Sequence, residues 1–289
     1  MKILIIGYGS AGRRHASILN KNHDVDIVTH QECDTFKVYK NFEDIQKLSD
    51  YDYFIIASVT NKHYRDIDYI NEKVKNKVIL AEKPLFSTYK NDLKLNNQIY
   101  LAYNLRFHPI IEQLRFEIKN DSIISINAYV GQYLPDWRKD RDYKKTYSAQ
   151  KSEGGGVLLD LSHEIDLIQW LAGELDEVKS FQGKISNLEI NSDDIVSFIG
   201  KTKSNTLITC SMDYISKTPI RRLIIHTVEN TYELDLIYST INGKKIITDS
   251  LESYKKMHNE ILFERIKNIC SYEEGLSVMK TIQKVQDNE

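Results

Sequence analysis

The chain has only three cysteines among its 289 residues, Cys33, Cys210 and Cys270, odd in number and far apart. That argues against a disulfide framework and against a zinc site, and it suits a reducing cytoplasm. No apolar run approaches the ~20 residues that a membrane helix needs. The opening run, "MKILIIG", is too short for a signal peptide and meets a glycine turn at once. Charge of one sign is also scarce: 39 Lys and Arg against 41 Asp and Glu leave a net −2. There is therefore no overall basic field for nucleic acid or a membrane surface. Repeats and low-complexity tracts are missing as well. What remains, 41% hydrophobic and 28% charged residues, is the composition of a soluble globular protein long enough for two modest domains. The expectation is a cytoplasmic protein with a small-molecule partner and no metal.

The first hundred residues alternate strands with helices. "KILIIG" reads as a strand buried on both faces, "GYGSAG" places Gly7, Gly9 and Gly12 in GxGxxG spacing, and "RRHASILNK" reads as a helix. Strand, glycine turn and helix form the context that a dinucleotide fingerprint requires. Gly7 permits the tight turn, Gly9 lets backbone approach a pyrophosphate, and Gly12 lets helix and strand pack closely. The helix start, with Tyr8, Ser10, Ala11 and Arg13 around it, offers free N–H groups and a positive dipole end. "DVDIVT", "YDYFIIAS", "KVILAEKP" and "IYLAYN" read as further strands, with "NKHYRDIDYINEKVK" as a helix. Such alternation predicts a doubly wound parallel sheet. Only "HQECDTFKVYKN" separates the second strand from "FEDIQKL", short for a crossover helix. An acid ending the second strand would favour NAD, but Thr29 and His30 stand there. Arg13 and Arg14 would neutralise a 2′-phosphate, while Glu32 or Asp34 would serve the ribose. The cofactor is thus NAD or NADP, with a slight lean to NADP.

Glu82-Lys83-Pro84, ending a strand after an N-terminal GxGxxG, resembles the glucose–fructose oxidoreductase / inositol dehydrogenase (Gfo/Idh/MocA) family. "AYNLRFHP" and "GGGVLLDLSHEIDLIQWLAG" are similar to the stretch after that family's last cofactor-domain strand and to its catalytic helix. The resemblance covers roughly residues 1–172. It implies an α/β chain: an N-terminal Rossmann domain with a doubly wound parallel sheet, then a C-terminal α/β domain with an open, mostly antiparallel sheet. The boundary is expected between 118 and 119. It also implies NAD(P)-dependent hydride transfer at a carbinol or ketone carbon, usually of a sugar or cyclitol. Lys83 would contact cofactor and substrate hydroxyl, with Glu82 holding it, and Pro84 would shape the turn through a cis peptide. Ser58, Thr60 and Asn61, with His63 beyond, lie where the family's loop passes the adenosine and pyrophosphate, although Val59 replaces a common proline. Asn104 and Arg106 would line the cofactor cleft, Arg106 meeting substrate too. Independently of the family, a lysine leaving the carboxyl end of a buried strand stands where ligands bind in open α/β sheets.

Residues 157–172 read as one helix. Leu158, Leu161, Ile165, Ile168 and Ala172 form one apolar stripe; Leu159, His163, Leu167 and Trp170 form a second. On the helix alone, His163 reads as a satisfied core histidine. The resemblance makes it the acid/base, oriented by Asp160 one turn earlier, with Asp166 structural. Many family members separate these two residues by three; here only Leu161 and Ser162 intervene. The three glycines before the helix let another backbone or a ligand approach closely. Ahead of them, "YLPDWRKDRDYKKTYSAQ" reads as a long polar, aromatic loop. There Trp137, Arg138, Arg141, Tyr143 and Lys144 would meet substrate and clasp an anion. This loop resembles members encoded with surface-polysaccharide and nonulosonic-acid genes, implying a nucleotide-activated or acidic sugar.

Six further segments, from "SIISINAYVGQY" to "TYELDLIYS", read as strands of a mostly antiparallel sheet. One face should pack on the 157–172 helix, and the other should be covered by a second copy in a homodimer or homotetramer. Two other functions fit the same motifs: a redox-neutral epimerase-type enzyme with tightly bound cofactor, and a non-catalytic dinucleotide-binding regulator. Retention of both Lys83 and His163 argues against the regulator.

Overall fold

The computed structural model describes residues 1–137 and 141–287. In chain order the elements are β1 (Lys2–Ile6), α1 (Ser10–Leu19), β2 (Asp24–Val28), β3 (Lys37–Tyr39), β4 (Tyr53–Ile56), α2 (His63–Lys73), β5 (Val78–Ala81), β6 (Gln98–Leu101), α3 (Pro109–Glu117) and β7 (Ile123–Gly131). There follow α4 (Val157–Asp160), α5 (His163–Ala172), β8 (Leu175–Gly183), β9 (Ile195–Thr202), β10 (Leu207–Asp213), β11 (Ile220–Thr227) and β12 (Thr231–Asp235). The chain closes with β13 (Thr240–Ile241), β14 (Lys244–Lys245), α6 (Glu252–Leu262), β15 (Cys270–Ser271) and α7 (Tyr272–Asp287). Two compact units result: 1–103 with 269–276, and 104–268 with 277–289.

The first unit holds a seven-stranded sheet in the order β15-β6-β5-β4-β1-β2-β3. All its pairings are parallel except that of β15 with β6. Ile3 to Ile6, Tyr53 to Ile56 and Ile79 to Ala81 are all buried, as apolar runs without alternation require of strands covered on both faces. From β1 the chain steps to β2 on one side, and β4 pairs on the other, so the topological switch point lies between β1 and β4. The short link after β2 forms no helix; it ends in the three-residue β3 beside β2.

The second unit is an eight-stranded sheet, β14-β13-β12-β11-β7-β10-β9-β8, antiparallel except where β10 meets β7. Leu234, Leu223, Ala128, Cys210, Phe198 and Ser180 lie in one row across the register and are buried. α4 and α5 pack on this face, against β9, β10 and β7, as expected. Alternate residues on the other face, among them Tyr129, Phe181, Ile199, Leu207 and Ile224, are exposed. The units divide at 103/104, earlier than the expected 118/119. The turn at residues 104–107 packs on α5 and α6, and α3 packs on that turn and β13, so both join the second unit.

Candidate functional site

The glycine turn between β1 and α1 is built as the spacing requires. Gly7 has φ +98°, in the left-handed region that disfavours side chains, and a Cβ there would meet the Ala57 carbonyl oxygen at 2.4 Å. A Cβ on Gly12 would lie 2.1 Å from the Gly7 carbonyl oxygen. Gly9 differs: nothing lies within 4 Å of its Cβ position, so the centre of the turn faces open space. Gly9 also caps α1, whose first turn contains no acid. A helix dipole and an open glycine suit a pyrophosphate. Tyr8 and Ala11 are half-buried and Ser10 exposed around this opening.

At the end of β2, Thr29 is buried and His30 exposed. The Gln31 N–H donates to Thr29 Oγ1 over 3.1 Å. Arg13 is already engaged: Nε donates to the Tyr8 carbonyl (3.2 Å), Nη2 donates to Gln31 Oε1 (3.0 Å), and the guanidinium stacks 4.7 Å above the Tyr8 ring. The end of β4 is tied down similarly. Ser58 Oγ donates to Asp66 Oδ2 over 2.7 Å, buried Thr60 begins a short helical turn, and Asn61 in that turn is exposed.

Lys83 follows β5, and the Lys83-Pro84 bond is cis. Glu82 and His63, both expected beside the cofactor, support this turn. Glu82 is 8% exposed and its Oε1 lies 2.9 Å from Nε2 of fully buried His15 on α1. Its Oε2 accepts from the Lys83 N–H. Burial alone would push this carboxyl up, but the His15 hydrogen bond and charge, then Lys83, hold it below its ordinary value. His63 is 1% exposed. Its Nδ1 and Nε2 each lie 3.0 Å from a carbonyl oxygen, of Pro84 and Ser58 respectively, so one imidazole joins the turns after β5 and β4. Burial lowers its pKa despite both carbonyls.

In the second unit, the expected single helix is two. α4 ends at Asp160, where the bonding tightens: Ser162 N–H donates to the Leu159 carbonyl and Glu164 N–H to that of Leu161. α5 starts at His163, which is half-buried at its first position. Asp160, 4% exposed, accepts from the Tyr214 hydroxyl at 2.6 Å. Burial first and the Asp160 charge second push the Tyr214 phenol up, keeping it a donor. Asp166 is structural, as expected: Arg106 Nη2 donates to it at 2.6 Å and Nε at 3.0 Å. Arg106, expected to line the cleft, is 2% exposed and forms half of this buried ion pair. Asn104 is likewise buried, donating to Ser253 Oγ.

The described residues of the polar loop before the glycines include short helical turns. Trp137 packs edge-on against Tyr214, with ring centroids 5.2 Å apart, so loop and Asp160 share one cluster. Tyr143 accepts from the Glu189 N–H, and Lys144 pairs with Glu189 at 2.6 Å, which occupies part of the expected anion clasp. Arg141 is exposed, and Arg138 lies outside the described residues. The glycines admit backbone and side chain from the same unit: a Cβ on Gly155 would meet the Tyr147 carbonyl at 2.0 Å, and one on Gly156 would meet Asp193 at 2.1 Å.

Two family models match this chain. Residues 1–95 match the oxidoreductase family's NAD-binding Rossmann fold, and residues 113–233 match the GFO/IDH/MocA C-terminal domain. The chain belongs to the GFO/IDH/MocA oxidoreductase family. An uncharacterized oxidoreductase of Streptococcus pneumoniae serotype 4 is 22% identical over 199 residues, which are 63% of this chain and 53% of that relative. The match thus spans about half of the relative's length. Among solved structures, the WlbA dehydrogenase of Bordetella pertussis, in complex with NADH and UDP-GlcNAcA, has a TM-score of 0.82 at 11% identity, over 99% of this chain and 95% of that one. UDP-N-acetylglucosamine 3-dehydrogenase of Acidithiobacillus ferrooxidans gives 0.81 at 16%, over 100% and 97%. Scyllo-inositol dehydrogenase of Lactobacillus casei, with NAD(H) and scyllo-inositol, gives 0.77 at 18%, over 100% and 96%. At these identities the likeness is one of fold.

For this GFO/IDH/MocA member, then, the NAD-binding Rossmann fold is established, whereas nothing in the comparisons supports the lean to NADP. Sequence reading missed His15, Tyr214 and Asp193 as supporting residues. Tyr214 alone left a trace: "SMDYIS" breaks the alternation of β10, and Met212, Asp213 and Tyr214 are consecutively buried.

Proposed function

We propose that this protein is an NAD-dependent dehydrogenase or reductase of a nucleotide-activated sugar. The observation that carries the reading is the glycine turn with its open centre, in a chain that keeps Lys83 at the carboxyl end of β5. The sugar-nucleotide class is supported by the relatives that share the fold across nearly the whole chain. NAD fits the residues present. Gly7, Gly9 and Gly12 with the α1 N-terminus suit the pyrophosphate, and Arg13 is committed to Tyr8 and Gln31.

When bound, NAD supplies the acceptor for the carbinol hydrogen and its electron pair. In this proposal Lys83 donates to the substrate oxygen and stabilises developing negative charge there. His163 takes the hydroxyl proton, so the carbinol loses a hydride and a proton and becomes a ketone; reduction returns both. Asp160, bonded to Tyr214, acts as a positioning residue at the start of α5. The second copy of a homo-oligomer is proposed to cover the exposed face of the eight-stranded sheet.

Lys83→Ala tests the centre of the reading. Turnover of a nucleotide-sugar panel, followed at the nicotinamide absorbance, should fall by about 10²-fold or more. Calorimetric NAD affinity should stay largely intact. Wild-type turnover in the variant would remove Lys83 from the mechanism.

A further inference from the structure

Beside the break between α4 and α5, the second unit contains a cavity of about 210 Å³. Val130, Leu161, Pro219, Ile220 and Ile237 supply its apolar walls. Arg221, Gln132 and Asp160 supply its polar ones. Leu161 stands two residues before His163, so the cavity lies next to the start of α5.

The polar groups restrict what enters. Arg221 offers Nε and Nη2 to Glu164 at 2.7 and 3.2 Å, a two-pronged pair whose acid is 1% exposed. Its positive charge is therefore matched within the protein. Asp160 adds a carboxylate to the same wall. Neutral hydrogen-bonding capacity is left over. The guanidinium keeps Nη1, and the Gln132 side-chain amide has no hydrogen-bond partner among the described residues. At the edge, the Trp137 indole N–H is buried without an acceptor among the described residues. A wall rich in donors, facing aliphatic side chains, wants a carbonyl oxygen attached to a small apolar group. The volume holds several waters at ~30 Å³ each. It therefore takes a four-heavy-atom acetamido group with part of its ring.

We infer that this cavity is the subsite for an acylamino substituent of the sugar, with the methyl against Leu161 and Ile220 and the carbonyl accepting from Arg221 or Gln132. The inference rests on the nucleotide-sugar reading and narrows it to acylamino sugars.

The experiment pairs UDP-N-acetylglucosamine with UDP-glucose, which differ at one substituent. Dissociation constants and kcat/KM are measured on the full chain with NAD present. NAD affinity serves as the fold control. Wild type should prefer the acylamino sugar roughly tenfold or more, the scale on which a filled pocket discriminates. Ile220→Phe, which fills the cavity, should bring that ratio close to one. Gln132→Leu, of similar size without the amide, should lower it. Equal handling of the two sugars by wild type overturns the inference and leaves the parent reading standing. So does an unchanged ratio in both variants. If NAD binds but neither sugar is bound or turned over, the nucleotide-sugar reading falls and takes this inference with it.

Discussion

His63 is where a single residue controls the most. At 1% exposure it joins the turns after β4 and β5 through both ring nitrogens. Because burial depresses its pKa, the folded protein resists protonation where the unfolded chain accepts it. The unfolded state then binds more protons, so stability should decline as pH falls from the ordinary histidine value of 6.5 toward the depressed folded one. Glu82, held low by His15, loses its contribution only in a more acidic window, below its ordinary 4.5. His63→Ala should cost roughly 2–4 kcal/mol, combining lost side-chain packing with the carbonyl that loses its imidazole N–H. Urea titrations across pH 5–8, as an approximate range, check both points. A variant that keeps the wild-type slope of stability against pH would show that His63 is not the titrating group.

Among the elements, the start of α4 depends on the glycines before it. Gly154 and Gly156 have φ of +82° and +127°. The Asp193 carbonyl and carboxylate accept the N–H groups of Val157 and Leu158. A side chain at 156 would be strained by the backbone and would also strike Asp193. Gly156→Ala should therefore destabilise the second unit by about 1–3 kcal/mol, and further if Asp193 is displaced. Thermal unfolding measures it, and an unchanged midpoint would contradict the geometry. Asp193 carries its own cost, since burial raises its carboxyl pKa with help from Asp160. A raised acid weakens the fold as pH climbs through its folded pKa, so Asp193→Asn, which keeps the acceptor oxygen, should gain stability at neutral pH.

For the molecule as a whole, the proposed oligomer turns on one sheet face. Phe181 is 87% exposed there, with Ile199 at 48% and Leu207 at 47%. Between them runs a polar ladder, including Ser197–Ser211 and Thr209–Asn127 hydrogen bonds. Such a mixed surface suits a second copy of the same face. Wild type should elute from size exclusion as a dimer or larger, and Phe181→Asp with Ile199→Lys should shift it toward monomer. A wild-type chain that stays monomeric at high concentration would dismiss the assembly.

Much of this was legible in the residues because local physics decides it. Unbroken apolar runs make strands covered on both faces, alternation makes the half-buried strands of the second sheet, and GxGxxG admits one kind of turn. Lys83 was legible for the same reason, since a strand end in a parallel sheet determines where its next residue emerges. Long-range contacts decided the rest. Asp160 bonds to Tyr214, 54 positions away, Arg106 to Asp166 across 60, and Glu82 to His15 across 67. A buried charge must find a partner, and composition and periodicity announce that need without naming the partner. Only the tertiary structure could show that Arg106 and Glu82 are matched inside the protein, and that the helix bearing His163 starts at that residue.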